Sequence, residues 1–225
     1  MKQENRPHAL GGVMMKIDQP KISKELSEAR FQDIFYEEEL SLRECVIIDS
    51  TFIDDGIDRI HLDNVIIKNS TFQNARFSNN SLTDVCFENC DLSNADLSFG
   101  SIHRVVFKEC KLLGVNFSEA HLGNVKFDNC LLNLSSFTYG KINKVLFNHS
   151  SLNNADFYEC KLTKSKYDHC NLDAANFEHT PMKGIDISTS EFQSLTVAME
   201  DLKGCIVSSH QAIRFATLMG LDIRD

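Results

Sequence analysis

The stretch Cys90-Asp91-Leu92-Ser93-Asn94-Ala95-Asp96-Leu97-Ser98-Phe99 decides the fold, because it repeats one five-residue unit: a small residue, a polar one, Leu, then two more. The unit returns as Val115-Asn116-Phe117-Ser118-Glu119-Ala120-His121-Leu122-Gly123-Asn124, and again over Cys170–His179. Working outward from there, every fifth residue from Leu42 to Val207 is Leu, Ile, Phe, Val, Met or Tyr. These 34 consecutive positions hold 12 of the chain's 16 Phe. Apolar residues three and four apart would make a helix face, and strict alternation a half-buried strand. A period of five fits neither, and an unbroken repeat this long points to an architecture that grows by stacking.

The unit of small, polar, Leu or Phe, polar, polar resembles the pentapeptide-repeat family over roughly three quarters of the chain. The resemblance implies an all-β solenoid, a right-handed quadrilateral β-helix with four units per 20-residue coil and the bulky centre of each unit pointing inward. Residues 20 apart then share a side. The first side is centred on Leu62, Leu82, Ile102, Leu122, Ile142, Leu162, Met182 and Leu202. The second runs through Phe87, Phe107, Phe127, Phe147 and Tyr167, and the third through Leu92, Leu112, Leu132, Leu152 and Leu172. The fourth carries Phe117, Phe137, Phe157 and Phe177, so rings oppose rings across the core. Coils about 4.8 Å apart would make each column a ladder of like side chains.

Two residues before each centre the position is small, as at Ala75, Ala95, Ala120 and Gly140, and seven of the eight Cys sit there. Cys90, Cys110 and Cys130 share a column with Ser70 and Ser150, so small size explains them without a disulfide or a metal. Only Cys86 is expected to point outward. Two residues after the centre Asn recurs, at Asn64, Asn69, Asn74, Asn79, Asn89 and Asn94 among others. Its side chain bonds local backbone and tolerates left-handed geometry, which makes it architectural.

One domain is expected: a disordered segment 1–15, an irregular N-terminal cap 16–41, the β-helix 42–207, and a capping helix with a dimerisation tail 208–225. Ser208 and Gln211 fit a capping box, and Gly220 suits a helix end. Ile213, Phe215, Ala216, Leu218 and Met219 cover more of that helix than a cap requires, and Leu221 and Ile223 continue the apolar surface. A tail-to-tail homodimer is expected through Phe215, Leu218, Met219, Leu221 and Ile223. No apolar stretch approaches the ~20 residues of a membrane span, and the N-terminus lacks an export-signal pattern, so a cytoplasmic protein is expected. No Gly-rich phosphate loop, zinc-protease motif or nucleophile elbow is present. The expectation is therefore a non-enzyme without cofactor or metal, and without direct nucleic-acid binding.

The ending Gln211–Ile223, QAIRFATLMGLDI, resembles the C-terminal cap of one branch of the family, the quinolone-resistance proteins of the Qnr and MfpA type. That resemblance implies a dimeric rod that mimics duplex DNA, binds DNA gyrase and topoisomerase IV, and protects them from quinolones. Members with loops interrupting the coils are implicated in that protection, and here the register is unbroken. The net charge of −9 agrees with mimicry. Assigned to sides, the acids cluster: Asp58, Asp96, Glu119, Asp156, Glu159 and Glu178 on the fourth, Asp91 and Asp173 on the third. These eight are the candidate partner-binding residues. The first side instead carries Arg104, Lys141, Lys144, Lys161, Lys164, Lys183 and Lys203 against Asp63, Asp84 and Asp201. An interaction scaffold with an unrelated protein partner is the alternative, because a fold alone does not fix function.

Overall fold

The computed structural model describes residues 15–37, 39–218 and 220–224, so the segment expected to be disordered lies outside the described residues apart from Met15. Six strands of eight residues lie side by side in one parallel sheet. They are β2 (Ser41–Ile48), β3 (His61–Lys68), β4 (Ser81–Glu88), β5 (Ser101–Lys108), β6 (His121–Asp128) and β7 (Lys141–Asn148). Each is displaced from the next by 20 residues, so that Leu62 pairs with Leu82 and Phe87 with Phe107. One strand thus covers the first and second sides of a coil. The third and fourth sides carry single parallel bridges with the same displacement, Thr71 to Asp91 to Lys111 and Arg76 to Asp96 to Asn116. The protein is a four-sided parallel solenoid.

Two inward residues in each unit of five force this winding. Every fifth residue from Leu42 to Val207 is buried except Leu162, Val197, Leu202 and Val207. The second-side rings stack face to face, with Phe107, Phe127 and Phe147 at 5.0 Å spacings and planes within 5°. Phe137 and Phe157 stack likewise at 4.7 Å on the fourth side, and the two columns meet edge to face, as Phe127 and Phe137 do at 6.2 Å. Each buried ring contributes about 1.5–3 kcal/mol by removal from water, and favourable ring pairs add about 0.5–1.5 kcal/mol.

To turn a corner after every unit, the chain adopts left-handed backbone two residues past each centre, without exception from Glu44 to Gly184. A left-handed L-residue costs about 1–2 kcal/mol. Asn and Asp bear this best, and they return a hydrogen bond to the coil below, as Asn89 Nδ2 does to Asn69 Oδ1 at 2.9 Å. Size alone does not account for the Cys column. Ser70, Cys110 and Ser150 each donate to the carbonyl two residues earlier, at 2.8, 3.3 and 2.9 Å, so the position selects a small side chain with a donor.

Near the C-terminal end the ladder thins. Strands β8 (Lys161–Thr163) and β9 (Lys166–Asp168) replace one long strand, followed by the short pair β10 (Ala175–Asn176) and β11 (Leu195–Thr196). Pro181 lacks the N–H that Lys141 and Lys161 donate to Ala120 and Gly140 of the preceding coil. The hydrophobic period continues past this point, whereas left-handed corners persist only at Gly184 and Gly204.

Both ends are closed. At the start, β1 (Ser27–Ala29) pairs with β2, and a 3-10 helix, Phe31–Tyr36, buries Phe31 and Ile34 over the first coil. Phe31 packs against Phe52 and Phe72 at 5.1 and 4.9 Å. The irregular cap expected over 16–41 therefore has two parts: residues 27–37 cap the coil, while residues 15–24 run along the flank of the rod. At the far end, helix α1 (Ser209–Leu218) begins with the expected box, Gln211 N–H donating to Ser208 Oγ at 3.2 Å and Ser208 N–H to Gln211 Oε1 at 2.8 Å. Gln211 Nε2 also donates to the Ile187 and Ser190 carbonyls, at 2.8 and 2.7 Å, satisfying acceptors of the last coil. Phe215 packs against Phe192 with ring centroids 5.3 Å apart and planes tilted by 43°.

Candidate protein-interaction surface

The fourth side starts at outward positions such as Asp96 and Asp156, which the bridge ladder places in line with Asn116, Ser136 and Asn176. It ends at the corner occupied by Glu119, Tyr139, Glu159 and His179. All eight candidate acids fall on the third and fourth sides or that corner. Five of them work inside the lattice. Asp58 accepts from Ser78 Oγ and Asn79 Nδ2 at 3.0 and 2.9 Å, and these bonds lower its pKa. Asp173 accepts the Ser194 and Gln193 N–H groups, both at 2.9 Å, which lower its pKa in the same way. Burial works to raise Asp91, but bonds from Ser93 and Gln73 and the charge of Lys111 outweigh it and bring it below the ordinary value. Asp96 and Asp156 each accept from the Asn of the next coil, Asn116 and Asn176, at 2.9 Å.

The other three differ. Glu119 and Glu178 are exposed with no side-chain hydrogen bond or ion pair among the described residues, and Glu159 has beside it the Tyr158 hydroxyl, whose pKa it raises. All three carboxylates face solvent, Glu119 and Glu178 unpaired and Glu159 shared with the Tyr158 hydroxyl. Sequence reasoning grouped them with the Asp residues because periodicity shows which side a residue occupies, not whether a turn already uses its oxygens.

Sequence reasoning also passed over the rings between them. Phe99 and Tyr139 are 54% and 53% exposed at corner positions where most coils place Asn or a charge. Tyr158 meets Tyr139 edge to face at 5.7 Å and His179 at 5.4 Å. Along this corner Phe99, Glu119, Tyr139 and Glu159 alternate ring and acid at one coil per step. Large rings at a left-handed position, where they gain nothing from the core, were the available signal.

The first side is less open than its lysines suggest. Arg104 donates through Nε and Nη2 to a buried Asp84, both at 2.6 Å, and Lys144 Nζ lies 3.5 Å from Asp18 in the flanking segment. Cys86 is not activated: burial first, then Glu88 and Asp84, push its thiol up. Burial raises Cys160 to about 12 and Cys170 to about 11. At the tail, the structure corrects one expected interface residue. Phe215 is buried against Phe192 and is unavailable to a second copy, whereas Ile213, Leu221 and Ile223 are exposed. Met219 and the Leu218 side chain lie outside the described residues. Among the described residues no helix is long and apolar enough to cross a membrane.

With the lattice in place, comparison with known families is decisive. A model described as pentapeptide repeat region matches residues 80–157, and one described as pentapeptide repeats matches 61–98 and 143–178. The chain belongs to the pentapeptide-repeat family. Solved pentapeptide-repeat structures are similar in fold. HetL, involved in heterocyst differentiation regulation in the cyanobacterium Nostoc sp., is 13% identical with a TM-score of 0.57, covering 79% of this chain and 90% of that one. A trypsin-treated form of QnrB1, a plasmid-mediated fluoroquinolone resistance protein, is 19% identical with a TM-score of 0.48, covering 80% and 90%. No curated protein matches the sequence.

Proposed function

We propose that this pentapeptide-repeat protein is a non-catalytic binding rod whose third and fourth sides receive a basic protein surface. The observation that carries the reading is the group of exposed carboxylates, Glu119, Glu159 and Glu178, on the fourth side and its corner, none of them in an ion pair among the described residues. In its specific form the partner is the DNA-binding surface of DNA gyrase or topoisomerase IV, with the rod in place of duplex DNA. The tail resemblance and the charge pattern support that form. Reversing Glu119, Glu159 and Glu178 to Lys is expected to weaken gyrase binding at least tenfold and to relieve any effect on a gel-based supercoiling assay, while the melting temperature stays put. Neutralising Lys141 and Lys161 is expected to change little, and binding should fall as salt rises. Absence of gyrase binding at low salt, or its survival in the triple variant, removes this form.

A second reading is favoured by Phe99, Tyr139 and Tyr158. A stand-in for phosphates needs charges alone, whereas exposed rings beside carboxylates suit a protein partner that offers Arg or Lys to both. An interaction scaffold with an unrelated basic partner uses the same corner. In either reading we infer a homodimer through Ile213, Leu221 and Ile223. Light scattering should report twice the chain mass, and Leu221→Arg with Ile223→Arg should halve it; a monomer before substitution refutes the dimer.

A further inference from the structure

Residues 15–24 lie lengthwise on the corner between the first and second sides, and we propose that this corner is a binding site for an extended polypeptide, with the chain's own segment as resident ligand. The corner column reads Asn64, Asp84, Arg104, Asn124, Lys144 from coil to coil, all in left-handed backbone that turns the side chains outward. Asn64 Oδ1 accepts from Ser23 N–H at 2.9 Å, Asp84 Oδ1 from Lys21 N–H at 2.8 Å, and Asn124 Oδ1 from Asp18 N–H at 3.2 Å. Arg104 offers no acceptor, and its guanidinium is spent on Asp84. Between Lys21 and Asp18, where that level falls, the segment has Pro20, which has no N–H to donate. At the last level the Asp18 carboxylate faces the Lys144 ammonium at 3.5 Å. Donor, acceptor and charge therefore match level by level.

Geometry requires an extended ligand. Three coils separate Asn64 from Asn124, about 14 Å, and the five steps from Asp18 to Ser23 reach at most about 18 Å. The chain must be nearly straight, and Gln19 is biased to extended backbone by the Pro that follows it. The contacts are also exchangeable. They read main-chain N–H groups, which every polypeptide except at Pro supplies, plus one acid and the Ser23 hydroxyl, which accepts from Asn64 Nδ2 at 2.6 Å. No residue from 15 to 24 is buried, whereas the cap behind them is anchored by Phe31 and Ile34. The strap can peel away from its N-terminal end while the rod stays folded. Lifting it frees Lys144 beside Lys141 and Lys164, so the class of ligand that competes is an extended segment with a carboxylate at the Lys144 level. This site is separate from the acidic side and does not depend on the reading given to it.

The test uses the full chain with a disabled strap and an intact corner. Asp18→Lys, Lys21→Pro and Ser23→Pro together reverse the charge and delete two of the three donors. A labelled peptide of residues 15–26 is then titrated in by fluorescence anisotropy. It should bind this variant at least tenfold more tightly than the unaltered protein, whose own strap competes. Adding Asn64→Gly and Asn124→Gly, which keep the left-handed backbone, should cost at least tenfold again. In the unaltered protein, hydrogen exchange should be slower at the Asp18, Lys21 and Ser23 amides than at Lys16, Gln19 and Lys24, yet faster than at Val105 and Val125. Failure of the peptide to bind the strap-disabled variant, binding indifferent to the glycine pair, or no selective protection of the three amides overturns the proposal.

Discussion

Inside and outside, the same coils obey different rules. The inward positions give one answer from coil to coil: a bulky centre, a small residue two before it, rings stacked on rings at about 5 Å. Outward, the four sides diverge. The second carries compensated ladders such as Lys68–Glu88–Lys108, the first a cationic row partly covered by the strap, and the fourth exposed glutamates interleaved with rings. The interior is repetitive because each coil packs only on neighbouring coils of the same pattern. The exterior makes no such demand, and it is there that one rod can differ from another in what it binds.

The sharpest way to break this comparison is to place the same charge on either side of the wall. Phe127 is fully buried between Phe107 and Phe147, each 5.0 Å away. Phe127→Asp loses about 1.5–3 kcal/mol of burial and adds the larger cost of an unpaired buried charge. Against a total stability of about 5–15 kcal/mol, the variant should not fold normally. A charge change at exposed Glu119 should stay within about 0.5 kcal/mol. Circular dichroism melts of the two check this, and a soluble Phe127→Asp protein with an unchanged melting temperature contradicts the inward assignment.

How much could be read beforehand follows the same division. The columns, the small positions, the left-handed Asn corners and the Ser208–Gln211 box were all legible, because each is a local pattern repeated or bounded by known capping chemistry. The acidic side was legible as a side. Which acids are free was not, since Asp96 and Glu119 differ only in whether a neighbouring coil supplies a donor such as Asn116 Nδ2. The strap was invisible for another reason. Three of its contacts are to its own main-chain N–H groups and only Asp18 and Ser23 add side chains, so Asp18-Gln19-Pro20-Lys21 carries no side-chain period to find. Phe215 misled because a helix with apolar residues all round does not disclose which of them meets the last coil.

A subtler test stays within the interior. The second-side column is Phe from Phe87 to Phe147 and then Tyr167, whose hydroxyl is buried without a hydrogen-bond partner among the described residues. Burial pushes that phenol's pKa well up. Leaving a hydroxyl unpaired costs about 1–3 kcal/mol. Tyr167→Phe keeps the ring stack, 4.8 Å from Phe147, and removes the penalty, so it should stabilise the rod by about 1 kcal/mol in a denaturant melt. Destabilisation would show that the hydroxyl has a partner and that the column is not uniform after all.

The smallest expected effect belongs to the best-compensated ladder outside. Glu88 lies between Lys68 Nζ at 2.8 Å and Lys108 Nζ at 2.9 Å, and these two ammonium groups hold its pKa at about 2, against an ordinary 4.5. A carboxylate with a depressed folded-state pKa contributes stability that is fully present above about 4.5 and disappears as pH falls through about 2. The side chains are 33–44% exposed, so solvent screens them and the contribution is at most about 1 kcal/mol. Glu88→Gln should therefore destabilise slightly at pH 7 in low salt. The deficit should shrink in high salt, fall off as pH approaches 2, and vanish below it, where Glu88 is itself neutral. A deficit that exceeded about 2 kcal/mol, or that grew toward acid, would mean the exterior ladders hold the fold as the rings do, and the division between inside and outside would fail.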